Sequence, residues 1–342
     1  MSETANIAFI ASKIAKDIFG AFYWNVYPQK DTNFECVFPD KHRTPTDKPK
    51  KEHPGDVVFH YIDPYLNKRV HLHTDLKSYG KSTLKISNVR AALNSLAMTV
   101  ECAEASADWR AKFLENDQES HEIRGLLFVA NHDNEAPDKF DEQLSKINRN
   151  ALEIAKDNTL HVLGPNAISN LFSVASDIKL SVANGEISKF YRFFYPDLTL
   201  WKRGRAEDER SAATIETLLS PYFILRHDRV MDEDDSTQVK QRAGSLVYYS
   251  RKGETVDEFV YLIDSLSRYQ LVNAKEQIRV RVFNKSRSHQ FKNNFEKAKK
   301  RYCEAWHFED GRESEIMDIS IDVISQFSPN YSPDEIGWRG EE

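Results

Sequence analysis

Apolar and polar positions alternate most regularly around residue 60. Asp56-Val57-Val58-Phe59-His60-Tyr61-Ile62 and Arg69-Val70-His71-Leu72-His73-Thr74-Asp75-Leu76-Lys77 are rich in β-branched and aromatic residues. Between them lies Asp63-Pro64-Tyr65-Leu66-Asn67-Lys68, whose Asp-Pro and Asn are turn formers, so the pattern predicts a β-hairpin. With the turn centred between Tyr65 and Leu66, Asp56 faces Asp75 across an antiparallel pair, at about 4.5–5.5 Å between Cβ atoms. Side chains alternate along the second strand, which puts Val70, Leu72, Thr74 and Leu76 on a core face. His71, His73, Asp75 and Lys77 then share the polar face, where the histidines are expected to line the sheet near a ligand.

Helical spacing of Ile7, Ile10, Ala11, Ile14, Ile18 and Phe22 predicts an amphipathic helix over residues 3–23. Tyr27-Pro28 reads as a turn and residues 34–38 as the first strand of a sheet. Residues 39–53, with Pro45, Pro49, Lys41, Arg43, Lys48, Lys50 and Lys51, read as a basic loop. After the hairpin the pattern predicts a helix over 88–113 and a buried strand over 123–131. A short helix over 140–155, a strand over 161–165 and a helix over 167–182 follow. The order is αβββαβ followed by αβα. The character changes over 184–212, so two domains are expected, 1–200 and 201–342, the second an α/β or α+β module.

In that second module residues 245–250 and 277–283 read as strands, 255–271 as a helix, 285–306 as a basic helix and 316–327 as a last strand. Phe291, Phe295, Ala298 and Tyr302 form its apolar seam, and Arg287, Lys292, Lys299 and Arg301 a face suited to phosphate contact.

Composition sets bounds on this picture. The chain has 342 residues, 40% hydrophobic and 29% charged, with a mean hydropathy of −0.61, as in a soluble globular protein. No stretch reaches the roughly 18–20 apolar residues of a membrane span, and the N-terminus lacks a basic leader, so a cytoplasmic location without membrane contact is expected. Cys36, Cys102 and Cys303 are odd in number and far apart, which predicts neither disulfides nor a zinc cluster. A net charge of −6 argues mildly against a nucleic-acid partner. Its distribution argues the other way, because from Arg279 to Arg301 nine Lys or Arg face a single acid, Glu296. No phosphate-binding Gly-x-x-x-x-Gly-Lys-Ser/Thr loop and no repeat is present.

Like charges opposed in a sheet are destabilising, and a divalent cation between Asp56 and Asp75 relieves them. Hard oxygen ligands of this kind suit Mg²⁺ or Mn²⁺. The run Pro54-Gly55-Asp56, then Asp75-Leu76-Lys77, resembles the signature of the PD-(D/E)xK nuclease superfamily, with a glycine inserted in the leading Pro-Asp. The resemblance implies a restriction-endonuclease-like core in which Asp56, Asp75 and the carbonyl of Leu76 hold the metal. Lys77 would orient or help deprotonate the attacking water, and either Glu35 or Asp17 could add a further acid. It further implies an endonuclease acting on DNA, and the architecture looks like a component of prokaryotic antiphage defence, with a partner protein from the same operon and a homodimeric or hetero-oligomeric state. The alternative is an inactive nuclease fold that binds nucleic acid or scaffolds a complex. A third reading rests on His71-x-His73-x-Asp75, which is similar to the start of the metallo-β-lactamase-like zinc motif, although Leu76 stands where that family has a histidine.

Overall fold

The computed structural model describes residues 3–114, 120–137, 139–152, 155, 158–196, 210–232, 237–325, 327–328 and 331. It divides into two compact units, Met1–Phe172 with Ser328–Glu342, and Ser173–Phe327. The boundary expected near residue 200 falls among residues outside the described ones, and the division lies instead after Phe172, inside a helix.

The first unit begins with α1 (Glu3–Asp17), followed by a 3₁₀ turn (Phe19–Phe22) whose capping residue, Tyr23, takes a positive φ of 61°. β1 (Asn25–Lys30) follows and pairs antiparallel with β4 (Val57–Asp63) at the sheet edge. Pro28, expected to mark a turn, sits within β1. Proline lacks an N–H and is tolerated at an edge or a bulge, and the β1 register shifts between Val26 and Lys30. The first strand expected over 34–38 is only β2 (Phe34–Glu35), paired with β3 (Glu52–His53) outside the main sheet.

β4 and β5 (Lys68–Tyr79) form the predicted hairpin in the predicted register, from Asp63 opposite Lys68 to Val57 opposite Thr74. α2 (Ile86–Ala105) and α3 (Ala107–Phe113) then cross to β6 (His121–Asn131), parallel to β5. Ser106, the N-cap of α3, accepts a bond from the Trp109 N–H and breaks what the periodicity reads as one helix. α4 (Phe140–Ser145) leads to β7 (Leu160–Leu163), parallel to β6, and α5 (Pro165–Ala183) carries the chain across the division. The five-stranded sheet runs β1-β4-β5-β6-β7.

Both faces of this sheet are covered. On one, Phe19 stacks on Trp24 at 4.4 Å and meets Phe59 edge-on at 4.8 Å. On the other, Val58, Leu127 and Val129 pack with Leu96 and Val100 of α2 and Trp109 of α3. Each fully buried side chain of this size contributes about 1.5–3 kcal/mol. The face read as polar from alternation is therefore covered where His71 and His73 lie. His71 and His73 are buried beneath α3, with Trp109 edge-on to His71 at 5.7 Å.

The second unit contains β8 (Tyr191–Phe193), α6 (Ile215–Leu218), β9 (Tyr222–His227), β10 (Val230–Met231), β11 (Val239–Gln241) and β12 (Gly244–Tyr249). α7 (Val256–Arg268), β13 (Gln277–Val282), α8 (Phe291–Trp306), α9 (Asp310–Met317) and β14 (Ser320–Val323) complete it. Its five-stranded sheet runs β14-β13-β12-β9-β8, with β12, β13 and β14 parallel and β9 antiparallel to β12. A capping box between Thr255 and Glu258 starts α7, and Phe259, Leu262 and Ile263 pack on Phe291, Phe295 and Ala298 of α8, the expected seam. Residues expected to form one long strand over 316–327 instead end α9 and supply the short β14.

Candidate active site

The hairpin register decides the site. Beyond the last pair, Val57 with Thr74, the next residues in line are Asp56 and Asp75. β5 continues past the start of β4, so the edge of residues 75–79 on that side has no strand partner among the described residues. The Asp56 side chain takes over that role, and its Oδ2 accepts the Leu76 N–H at 2.7 Å. In an extended strand the N–H and C=O of one residue point to the same edge, so the Leu76 carbonyl opens to the side where Asp56 stands.

Gly55 makes this placement possible. The Asp31 and Thr32 N–H groups donate to the carbonyls of Asp56 and Gly55, each at 2.9 Å, and a Cβ on Gly55 would lie 2.6 Å from the Thr32 carbonyl oxygen. His73 supports the same segment from below. Its Nε2–H donates to the Pro54 carbonyl at 2.9 Å, and the Trp109 indole N–H donates to its Nδ1 at 3.2 Å. With both ring nitrogens engaged by protein groups, His73 is no metal ligand, and the metallo-β-lactamase-like reading of His71-x-His73-x-Asp75 fails.

Charge completes the arrangement. Burial first, and then the negative charge of Asp75, push the Asp56 carboxyl up to about 7, against the pull of the Leu76 N–H and Lys77. Lys77 Nζ binds Asp75 Oδ1 at 2.6 Å. Burial draws the Lys77 ammonium down, but Asp75 and Asp56 outweigh it and hold its pKa above the usual value, so Lys77 stays a cation. The carboxylates of half-buried Asp56 and buried Asp75, with a backbone carbonyl beside them, make an all-oxygen donor set that fits a hard divalent cation such as Mg²⁺ or Mn²⁺.

Sequence reasoning left one neighbour in a loop. Lys50 donates to Ser95 Oγ at 3.3 Å, and its ammonium, pulled down chiefly by burial, feels the charges of Asp75 and Lys77. Periodicity cannot see this, because the loop returns to the sheet only in three dimensions. Of the two acids considered as additions, Glu35 lies exposed on β2, and Asp17 pairs with Lys13 at 3.2 Å and accepts from the Tyr331 hydroxyl at 3.4 Å.

The residues expected to touch phosphates on α8 separate into kinds. Lys299 is a correction: it is buried, and its ammonium donates to the carbonyls of Met317 and Ile319 at 3.0 and 3.1 Å while pairing with Glu296. It anchors the end of α9 and faces no ligand. Arg287 lies over the Phe327 ring at 5.1 Å. Lys292 and Arg301 are exposed, in surface pairs with Asp322 at 3.0 Å and Asp257 at 2.7 Å.

The expectation that the cysteines form no cluster is also overturned geometrically. Cys36 and Cys102, 66 residues apart in sequence, lie 3.7 Å apart, sulfur to sulfur, with His42 and His53 beside them.

Residues 1–167 match the family model described as the GAPS4 protein PD-(D/E)XK nuclease domain. No curated protein and no solved structure matches the chain. The helix-and-strand order and this match agree, and both support a PD-(D/E)xK nuclease domain over residues 1–167.

Proposed function

We propose that the chain is a divalent-cation-dependent endonuclease that hydrolyses DNA phosphodiester bonds, with Asp56, Asp75, Leu76 and Lys77 as its working residues. The observation that carries this reading is the opposition of Asp56 and Asp75, with the Asp56 carboxyl raised to about 7 and Lys77 bound alongside. Asp56, Asp75 and the Leu76 carbonyl would hold Mg²⁺ or Mn²⁺. Such an ion supplies Lewis acidity, polarising a phosphoryl oxygen and lowering the pKa of water.

Lys77, kept cationic by the two acids, orients the attacking water and neutralises charge building on phosphorus rather than acting as a base. The Gly55 turn and the His73–Pro54 bond hold Asp56 in place. Arg43, Lys48 and Lys51, exposed on the loop that ends at β3, offer cations to a substrate backbone. The matched family is defence-associated, which supports a role against foreign DNA alongside a partner protein, and double-strand cleavage with one site per chain favours a dimer.

Cleavage of supercoiled plasmid with Mg²⁺ or Mn²⁺ tests the reading, with single-stranded RNA as the competing substrate. Lys77→Ala is expected to slow cleavage by about 10²–10³-fold, as removal of one preorganised charge does. Asp75→Ala should abolish it with DNA affinity retained. Cleavage that survives both substitutions would overturn the site assignment, and a wild type that binds plasmid without cutting it under any divalent cation would favour the scaffold reading.

A further inference from the structure

We propose that Cys36, His42, His53 and Cys102 form a tetrahedral zinc site, separate from the carboxylate site, that fastens the loop between β2 and β3 to α2. One ligand atom from each lies within 4.8 Å of all the others. Cys36 and His42 stand in and after the turn out of β2, His53 ends β3, and Cys102 faces them from the last turns of α2.

The three spacings among Cys36, Cys102 and His42 are those of coordination. Zinc bonds of about 2.3 Å to sulfur and about 2.0–2.1 Å to nitrogen at tetrahedral angles give edges of about 3.8 Å between sulfurs and about 3.5 Å from sulfur to nitrogen. The two sulfurs are 3.7 Å apart, and His42 Nδ1 lies 3.6 Å from Cys36 Sγ and 3.3 Å from Cys102 Sγ. A disulfide would bring the sulfurs to about 2.05 Å and would have no use for the imidazole between them.

The outward ring nitrogens fix which atoms face inward. His42 Nε2 sits 3.1 Å from a Glu101 carboxylate oxygen, which accepts only, so Nε2 carries the hydrogen and Nδ1 presents a lone pair to the sulfurs. His53 Nδ1 lies 3.1 Å from Thr99 Oγ1. That hydroxyl already donates its hydrogen to the Ser95 carbonyl at 2.9 Å, so it accepts from His53 Nδ1–H and leaves a lone pair on Nε2. His53 is fully buried, and its Nε2 has no hydrogen-bond partner among the described residues. A buried acceptor without a donor is costly, and a cation resolves it. Zinc-ligating histidines characteristically donate their other ring N–H to a carboxylate or another acceptor, and the last turns of α2 supply Glu101, Thr99 and the ligand Cys102.

Two thiolates and two neutral imidazoles select zinc over Mg²⁺ or Mn²⁺, and a closed set of four protein ligands makes a structural site. Its effect reaches the carboxylates through covalent chain. Pro54-Gly55-Asp56 follows His53 directly, and Lys50 lies on the fastened loop.

Full-length protein purified without a metal-affinity step is assayed for metal content, and the zinc edge is examined by X-ray absorption. The expected result is one zinc per chain with two sulfur and two nitrogen neighbours at about 2.3 and about 2.0–2.1 Å. The Cys36→Ser/Cys102→Ser double variant should lose the zinc, and Asp56→Ala/Asp75→Ala should keep it. Should the cysteine variant fail to fold, cobalt(II) added to chelator-treated wild type decides, with strong visible d–d bands and a sulfur-to-cobalt charge-transfer band expected. A zinc-free wild type, an oxygen-only shell, zinc lost with the aspartates, weak octahedral cobalt bands or a Cys36–Cys102 disulfide overturns the proposal.

Discussion

At the scale of single residues, the site depends on one glycine more than on any of its charged groups' neighbours. Gly55 follows Pro54 in what the superfamily resemblance treats as an insertion, and its backbone passes so close to Thr32 that a methyl group there would sit 2.6 Å from a carbonyl oxygen. Neither partner is a flexible side chain, so the backbone itself has to shift. Gly55→Ala is expected to cost about 1–3 kcal/mol of stability, as overpacking does. It should also move Asp56, its neighbour in sequence. A misplacement of about 1 Å at a catalytic group is worth about 10²-fold in rate, so plasmid cleavage should fall by that order even where the protein stays folded. Urea titration and cleavage rates on the same preparation check both halves, and unchanged cleavage by a stable Gly55→Ala protein would contradict the account.

At the scale of elements, α8 shows how a charge run misleads. Lys292, Lys297, Lys299, Lys300 and Arg301 read alike in sequence, yet Lys299 points inward to cap the carbonyls that end α9. Lys299→Met keeps the packing stem and removes the donor, leaving one buried and one half-buried carbonyl short of that partner. It should destabilise the protein by about 1–3 kcal/mol and leave the salt dependence of DNA binding unchanged. Arg301→Ala should do the reverse, with little loss of stability and, where α8 contacts DNA, a salt slope reduced by about one. The same distinction explains what the sequence made legible. The β4–β5 register could be read because its turn chemistry and alternation agree, and with it came the opposition of Asp56 to Asp75. The burial of His71 and His73 could not, since alternation marks two faces without saying that α2 and α3 cover the second. Pro28 reads as a turn because a proline inside a strand is tolerated only at an edge or bulge, and the edge is a property of the assembled sheet. α9 is too polar to show periodicity. The cysteine and histidine cluster carries no compact spacing motif, because its fourth ligand comes from a helix beyond the hairpin. The hint available was Cys36, His42 and His53 on one proline-punctuated loop.

For the molecule as a whole, buried His71 and half-buried Asp56 in the first unit oppose each other with pH. His71 is held neutral, its pKa lowered to about 3 chiefly by burial and then by the nearby His60, His121 and Arg69. The unfolded chain protonates this imidazole near 6.5, so its contribution to stability is full above that pH and is lost as pH falls towards 3. Asp56 has the opposite sign. Its folded pKa of about 7 stands above the unfolded 3.8, so its contribution is full below 3.8 and is lost as pH rises through 7. Over the shared window each acts with a slope of up to about 1.4 kcal/mol per pH unit, one rising and one falling. Asp56→Asn keeps an oxygen to accept the Leu76 N–H but removes the falling limb. In metal-free protein the variant should therefore be more stable than wild type at about pH 8, by about 1–3 kcal/mol once screening is allowed for. The gap should narrow to nothing as pH approaches about 4, where the wild-type carboxyl is protonated in both states. Chemical denaturation in excess chelator across that range measures it. A variant whose stability tracks wild type in parallel at every pH would mean that Asp56 ionises in the folded protein without cost, and the need for a cation between the two acids would go with it.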